Sequence, residues 1–312
     1  MKKFLAMSAV AVAGMLPLAA HAEYPEKPVE FVVPFPPGDL EDVLTRMIAD
    51  EFQAEYGVPA AVLNNPGGGG GPFPGAAEVA GAPADGYTVG SFVIDVPLVG
   101  PEVGIPALSP NPFDPVGIFL TYPFVIAASK DAPFATMDEL AKYANENGVA
   151  LGHFGSFLIP TQVTFALAQK SGFQFASEAA FDALDCNTLA SGDADVINTT
   201  LQLILPCLDQ VNVLASIGEE RIPLIPETPT VGELQPELDL HLWNGLFVAK
   251  DTPEDVRAKI AAVAEKVMAS DAAKKLSEET GALIYWKDAA AADAQIEHDA
   301  QTLGTVAGLI GQ

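Results

Sequence analysis

The chain has 312 residues, with 15 Lys and Arg against 41 Asp and Glu, which gives a formal net charge of −26. Nucleic acid and anionic membrane surfaces repel so acidic a chain, and both classes of partner are therefore excluded. The length suits two lobes of roughly 100 to 200 residues each.

The first 22 residues have the layout of a secretory signal peptide. Lys2 and Lys3 precede an apolar run, and the run ends in the small-residue pattern Ala-His-Ala. This run is shorter than the roughly 20 residues that a bilayer-spanning helix needs, so cleavage after Ala22 is expected to release the chain. The two-lysine start is typical of bacteria, and we predict export to the periplasm.

The exported chain has two cysteines, Cys186 and Cys207. In an oxidising compartment an even pair at this separation favours a disulfide, and two buried thiols are the alternative. No metal or cofactor is predicted, because His153, His241 and His298 are not at ligand spacing to a cysteine or to each other.

Strands and helices alternate along the chain, as judged by hydrophobic period and by the positions of Gly and Pro. The first block is predicted to contain a strand at 28–35, a helix ending at Gly57, a strand at 58–65, a short helix near 75–81 and a strand at 87–94. Alternation of this kind predicts a parallel sheet whose faces are covered by helices.

A second alternating block starts near residue 116. Its predicted elements are strands at 116–119 and 123–128, a helix opened by Thr136, a strand at 149–152, helices at 161–171 and 178–191, a strand at 194–198, a helix at 200–209 and a strand at 211–215. The last predicted elements are a helix capped by Thr252, a helix at 271–280, a strand at 282–286 and a final helix. This order predicts two α/β lobes.

Five segments of the chain together carry a family resemblance. They are VVPFPPG at 32–38 with Asp42, the turn Asn65-Pro66-Gly67, DGYT at 85–88, PETPTVGEL at 226–234 and WNGLFVAKDTPEDV at 243–256. In this order, behind a signal peptide, they resemble the substrate-binding proteins of tripartite tricarboxylate transporters, also called the Bug or TctC family.

The resemblance implies a type II periplasmic binding-protein fold, with two α/β lobes joined by two hinge strands and a ligand cleft between them. By this analogy one lobe holds residues 23–123 plus 243–312, and the other holds 124–242. The resemblance also implies capture of a small organic acid and its delivery to the membrane permease subunits of the transporter. We expect the protein to be a monomer.

The residues themselves agree with capture of an anion by backbone groups. Helix starts present unpaired N–H groups and a partial positive charge, and this chain has only three arginines. Ligands of open α/β sheets lie outside the carboxyl ends of strands, which makes 35–42, 152–161 and 198–200 the candidate loops. The candidate ligand-binding residues are Phe35, Pro37, Gly38, Asp39, Asp42, Ser91, Asp95, His153, Gly155, Ser156, Thr161, Thr199 and Trp243.

The first candidate loop departs from the family, which usually has a second glycine where this chain has Asp39. Asp39 and Asp42 either cap the following helix or face the ligand. If Asp39 faces the cleft, it repels a carboxylate and favours a ligand that also carries an amine or a hydroxyl group.

The middle loop departs as well, because His153, Phe154, Phe157 and Leu158 add bulk to a segment that is small in relatives. These side chains either line an apolar pocket for an aromatic or longer aliphatic acid, or belong to the core.

Other positions also have two interpretations. Ser91 and Asp95 either reach the cleft or turn the chain, and Trp243 either stacks on the ligand or packs in the core. The glycine run at 67–71 lacks the Lys-Ser/Thr of a phosphate-binding loop, which favours a flexible loop.

Motifs of nucleophilic enzymes are missing from the sequence, which has neither Gly-x-Ser-x-Gly nor Ser-x-x-Lys. We therefore predict a non-enzymatic, extracytoplasmic solute-binding protein for a small organic carboxylate, either a di- or tricarboxylate or an aromatic acid. One alternative is a ligand sensor that presents its bound form to a receptor kinase. Another is the binding of an amine-bearing solute.

Overall fold

The computed structural model describes residues 23–67, 71–181, 183–218 and 220–311. The predicted signal peptide and residues 68–70 of the glycine run lie outside the described residues. In the described part of the chain, no helix combines the length and the apolar character that a membrane span requires.

Strands and helices alternate through these residues. The strands are β1 (Val29–Val33), β2 (Ala60–Asn64), β3 (Thr88–Val93), β4 (Phe113–Thr121), β5 (Phe124–Ser129), β6 (Ala150–His153), β7 (Ser177–Ala180), β8 (Val196–Thr200), β9 (Val211–Ile217), β10 (Trp243–Ala249) and β11 (Leu283–Asp288). The α-helices are α1 (Leu40–Tyr56), α2 (Phe73–Ala80), α3 (Asp95–Val99), α4 (Met137–Ala144), α5 (Ile159–Lys170), α6 (Cys186–Ser191), α7 (Leu201–Ile204), α8 (Val231–Leu234), α9 (Glu254–Met268), α10 (Asp271–Thr280) and α11 (Ala289–Ile310).

The described strands form two mixed sheets. One sheet has six strands in the order β11-β4-β10-β3-β1-β2, and the other has five in the order β7-β6-β8-β5-β9. β1 is parallel to β2 and β3, and β6 is parallel to β7 and β8. The pairings of β4, β5, β9, β10 and β11 are antiparallel. The prediction of a parallel sheet is therefore correct for β1–β3 and for β6–β8 and wrong for the five other strands, which run antiparallel to their neighbours.

The chain crosses between the sheets after β4 and again before β10. The first crossing is the dipeptide Tyr122-Pro123, and the Tyr122 N–H donates to the Leu242 carbonyl of the second crossing at 2.8 Å. The two crossings therefore lie side by side.

Apolar side chains at helical spacing bury one face of α1 against the six-stranded sheet. Leu44, Ile48 and Phe52 are fully buried, and Gly57 ends the helix in the left-handed conformation with φ 70°. The long helix α11 packs on β4 of the six-stranded sheet and also on α5, which directly follows the loop after β6. The core therefore continues from one sheet to the other.

Two predicted helices start differently in the structure. The helix predicted at 178–191 is instead the exposed edge strand β7 followed by the short helix α6, which the Asp185 side chain caps. All residues of β7 are exposed, so the sequence has no alternating hydrophobic pattern that would predict a strand here. Thr252 does not cap α9, because its hydroxyl donates to the Ala249 carbonyl at 2.6 Å and the helix begins at Glu254.

Cys186 and Cys207 form a disulfide with a Cα–Cα distance of 6.0 Å, so the structure has the bridge and not two thiols. The bridge joins the first residue of α6 to the 3-10 helix Leu205–Gln210. Both cysteines pack with Leu184 and Ile197 in an apolar cluster on one face of the five-stranded sheet. The closed loop includes the whole of β8.

Removing this bridge should lower the free energy of unfolding. A disulfide that closes a loop of this size contributes about 3 kcal/mol, mainly by restricting the unfolded chain. We expect the double variant Cys186→Ser, Cys207→Ser to lose about that amount in equilibrium denaturation followed by circular dichroism. Reductant should destabilise the wild type and leave the double variant unchanged. Equal effects of reductant on both proteins would contradict the bridge.

Candidate functional site

Loops at the carboxyl ends of the parallel strands of both sheets meet along one boundary, where ligands of α/β sheets bind. A hydrogen bond and an aromatic contact are among the interactions that join the two sides. The Ile159 N–H donates to the Asp95 carboxylate at 2.9 Å, and the ring centroids of Phe73 and Phe157 lie 6.1 Å apart. We call this boundary the seam and define it as loops 34–39, 94–95 and 154–158, the first turns of α1 and α5, the end of β8 and the start of β10.

Asp95 caps the N-terminus of α5 from across the seam. Within the first turn of this helix, Pro160 has no N–H and the Thr161 N–H returns to the Leu158 carbonyl at 3.0 Å. The Ile159 N–H is the first-turn donor that points away from the helix, and Asp95 accepts it. Burial raises the pKa of the Asp95 carboxyl to about 6, and the N–H groups that it accepts only partly oppose the rise.

Asp42 holds the first loop together. Its carboxylate accepts the Gly38 N–H at 2.8 Å, the Asn64 amide at 2.7 Å and two N–H groups of Arg46 at 2.9 and 3.0 Å. Burial alone would raise the pKa of Asp42, but the hydrogen bonds from Arg46 and Asn64 outweigh it and lower the pKa. These contacts favour the structural interpretation of Asp42 over contact with a ligand.

Asp39 stands at the N-cap position of α1, yet its side chain makes no hydrogen bond to the helix. The residue is half-buried, and burial together with the nearby Asp42 raises the pKa of its carboxyl. The capping role considered for Asp39 is therefore absent, and its carboxylate remains available at the rim of the seam.

Glu41 is a buried acid in the first turn of α1 that the sequence analysis did not select. Its side chain is 1% exposed and accepts a hydrogen bond from the Tyr122 hydroxyl at the first crossing. Burial, with a contribution from Asp39, raises the pKa of Glu41 to about 8. A usable signal existed, because Glu41 precedes Leu44 and Ile48 at the helical spacing of the buried face of α1.

Ser91 lies inside the six-stranded sheet and not at its edge. Its hydroxyl accepts from Thr45 at 2.9 Å and donates to the Asn244 side-chain oxygen at 3.0 Å. The buried Asn244 side chain also interacts with the Tyr122 hydroxyl at the first crossing. Neither Ser91 nor Asn244 is therefore a free donor for a ligand.

The end of β8 divides its polar side chains between the two faces of the five-stranded sheet. The Thr199 hydroxyl donates to the Leu184 carbonyl at 2.6 Å, on the face that carries the disulfide. Asn198 and Thr200 point to the other face, and the Asn198 amide and the Thr200 hydroxyl are buried without partners in the described part of the chain. The Thr161 hydroxyl, in the first turn of α5, is also buried and has no hydrogen-bond partner among the described residues.

The middle loop is only partly buried. His153 is buried, with Nε2 on the Glu178 carboxylate and Nδ1 without a partner among the described residues. Gly155 is buried and Ser156 is exposed. Phe157 keeps 37% of its surface exposed while it contacts Phe73 across the seam.

Of the remaining candidates, Trp243 packs in the core. It is fully buried, its indole N–H donates to the Asp299 carboxylate at 2.7 Å, and its ring stacks on Phe247. These contacts favour the core interpretation. In the first loop, the Phe35 carbonyl accepts from the Asn64 amide at 3.0 Å. Pro37 and Gly38 are exposed, and Gly38 has a φ of 98°.

The two sides of the seam differ in charge. The side of the six-stranded sheet carries the acids Asp39, Glu41 and Asp95. The side of the five-stranded sheet carries the neutral donors Thr161, Asn198 and Thr200. Over the described ranges, no Lys or Arg pairs with these three acids, and no cluster of His, Cys, Asp and Glu is arranged to hold a metal ion.

The buried Glu41 carboxyl should make stability depend on pH. Its pKa is raised in the folded protein from 4.5 to about 8, so the folded state retains a proton that the unfolded state releases, and stability falls as the pH rises through this window. Glu41→Gln keeps an oxygen for Tyr122 and removes the titration. We expect its melting temperature to fall less than that of the wild type between these pH values. The exposed Glu30→Gln is the control, and parallel curves for Glu41→Gln and the wild type would contradict the assignment.

Comparison with known proteins gives the family. The model of the tripartite tricarboxylate transporter family receptor, TctC, matches residues 44–309. The UPF0065 protein from the tcbD-tcbE intergenic region of a Pseudomonas species is 30% identical over 265 residues, which cover 79% of this chain and 75% of that protein.

Solved structures share the fold. A Rhodopseudomonas palustris protein solved with adipate has a TM-score of 0.79 at 22% identity, covering 93% of this chain and 99% of that one. MatC from the same species, with bound malate, has a TM-score of 0.76 at 22% identity, covering 91% and 99%. The predicted family resemblance and the predicted α/β periplasmic binding-protein fold are confirmed, and the chain belongs to the tripartite tricarboxylate transporter receptor family, TctC.

Proposed function

We propose that this protein is a periplasmic solute-binding protein that captures a small organic carboxylate at the seam and delivers it to a tripartite tricarboxylate-type membrane transporter. The observation that carries the proposal is the set of buried donors without partners on the five-stranded side, the hydroxyls of Thr161 and Thr200 and the amide of Asn198. Family membership supports it, because TctC proteins are solute-binding receptors.

The energetic argument starts from the cost of burying these groups. Each buried polar group without a partner costs about 1–3 kcal/mol, and a ligand that accepts its hydrogen bond removes that cost. A carboxylate has two acceptor oxygens and suits a cluster of neutral donors. The absence of a paired cation on this side, among the described residues, is compatible with capture by neutral hydroxyl and amide groups.

The relatives point to the same class of ligand. Two of the similar solved structures contain adipate and malate, which are both small organic carboxylates. The predicted signal peptide, with cleavage after Ala22, supports a periplasmic location. We assign residues 23–123 plus 243–312 and residues 124–242 to two lobes that turn about the crossings at Tyr122-Pro123 and Leu242.

Carboxylates should stabilise the exported protein against heat. A ligand at about 100 times its dissociation constant adds about 2.7 kcal/mol of stability, which raises the melting temperature by several degrees. We would screen the protein purified from the periplasm against mono-, di- and tricarboxylates, aromatic acids and amines without a carboxylate. The mass of the purified protein reports the cleavage site. Shifts with amines alone, or with no compound, would contradict the proposed function.

Adjacent threonines on β8 provide a matched test of the site. Thr200→Val removes a donor that has no partner among the described residues, so we expect roughly five- to tenfold weaker ligand binding with little change in stability. Thr199→Val removes the hydrogen bond to Leu184, so we expect about 1–2 kcal/mol lower stability with unchanged affinity. Calorimetry and thermal denaturation measure the two effects. The reverse pattern would place the ligand on the other face of the sheet.

A further inference from the structure

We propose that Asp95 is a specificity-determining residue, which selects an organic acid that carries a hydrogen-bond donor, either a hydroxyl or an ammonium group, in addition to its carboxylate. The inference rests on the proposed function, since it places the ligand in the same seam. It goes further by assigning a side of the seam to each end of the ligand.

Asp95 already holds the position that a ligand carboxylate would otherwise take at α5. The outward-pointing N–H of the first turn belongs to Ile159, and the Asp95 carboxylate accepts it at 2.9 Å. Asp95 is 4% exposed and Ile159 is fully buried, so solvent screens this contact weakly. A ligand carboxylate at the same N–H would have to displace a tethered carboxylate or lie against it. Both arrangements are unfavourable, because like charges repel at close range.

The Asp95 carboxylate also has unused capacity to accept hydrogen bonds. Its donors in the described part of the chain are two backbone N–H groups, those of Ile159 and of Asp95 itself. An ionised carboxylate can accept about four hydrogen bonds. Burial with so few donors raises the pKa of Asp95 to about 6. A hydroxyl or ammonium group on the ligand would add the missing donor, and an ammonium group would also add the missing charge.

The surroundings of Asp95 reinforce this polarity. Asp39 and Glu41 lie on the same side of the seam, and both have raised pKa values without a Lys or Arg partner among the described residues. The free donors Thr161, Asn198 and Thr200 lie on the opposite side. A ligand that bridges the seam therefore places its carboxylate toward the five-stranded sheet and its donor toward Asp95.

Two matched series of ligands test the assignment. Propionate, lactate and alanine share one carbon skeleton, and succinate, malate and aspartate share another; within each series only a hydrogen, a hydroxyl or an ammonium group differs. In at least one series we expect the wild type to bind a substituted acid about tenfold or more tighter than the unsubstituted one. Whether the hydroxyl or the ammonium compound binds tighter identifies the donor. Affinities are measured by calorimetry on the exported protein.

The variant Asp95→Asn removes the charge and keeps an oxygen for the Ile159 N–H. We expect it to lose most of the preference for the substituted acids and to gain affinity for the unsubstituted ones. Asp131→Asn makes the same change in charge beyond the far end of β5, at an exposed position, and should keep the wild-type ranking. If Asp95→Asn does not fold, as judged by its melting curve, Asp95→Ser removes the same charge and takes its place.

The outcomes separate this inference from the proposed function. An unchanged ranking in the Asp95 variant, with carboxylates still bound by the wild type, would overturn the role of Asp95 and leave the proposed function standing. A wild type that prefers propionate or succinate over their substituted forms would also overturn the role of Asp95 and leave the proposed function standing. A wild type that binds no carboxylate of either series or of the broader screen would overturn both.

Discussion

A polar group that leaves water needs a hydrogen-bond partner, and this requirement decides what each side chain at the seam does. Asp42 meets it within its own loop, through Gly38, Asn64 and Arg46. Asp95 meets it across the seam and so joins the two sheets. Three side chains in the described part of the chain that do not meet it lie near the same boundary, Thr161 on α5 and Asn198 and Thr200 on β8. The fold and the candidate site are therefore two consequences of one constraint.

The order of strands and helices was predictable from hydrophobic period, because most strands and helices here bury one face or one run of residues. The strand β7 was not predicted, since all of its residues are exposed and produce no hydrophobic pattern. The directions of the strands were not predictable either, because the local composition of a strand is the same whichever way it runs. Only the hydrogen-bonded pairing of β4, β5, β9 and β10 determines them.

The candidate site could be predicted from the sequence only to the level of its loops. All three candidate loops border the seam, because they follow the carboxyl ends of parallel strands. The sequence did not show which side chains of each loop face the seam. On β8, a shift of one residue separates Thr199 from Asn198 and Thr200, since successive side chains point to opposite faces. The partner of Asp95 lies 64 residues away in sequence, and no local pattern encodes so distant a contact.

Helix α11 bears on how the seam can widen. It follows a strand of the six-stranded sheet, yet it packs along α5, whose first turn forms part of the opposite side. In the proposed function the two lobes separate to admit the ligand, and this movement would shift α5 along α11. Packed helices slide past each other by small steps only. Side-chain packing between α11 and α5 would then limit the amplitude of opening, and substitutions on α11 that face α5 would alter the rates of ligand entry and release.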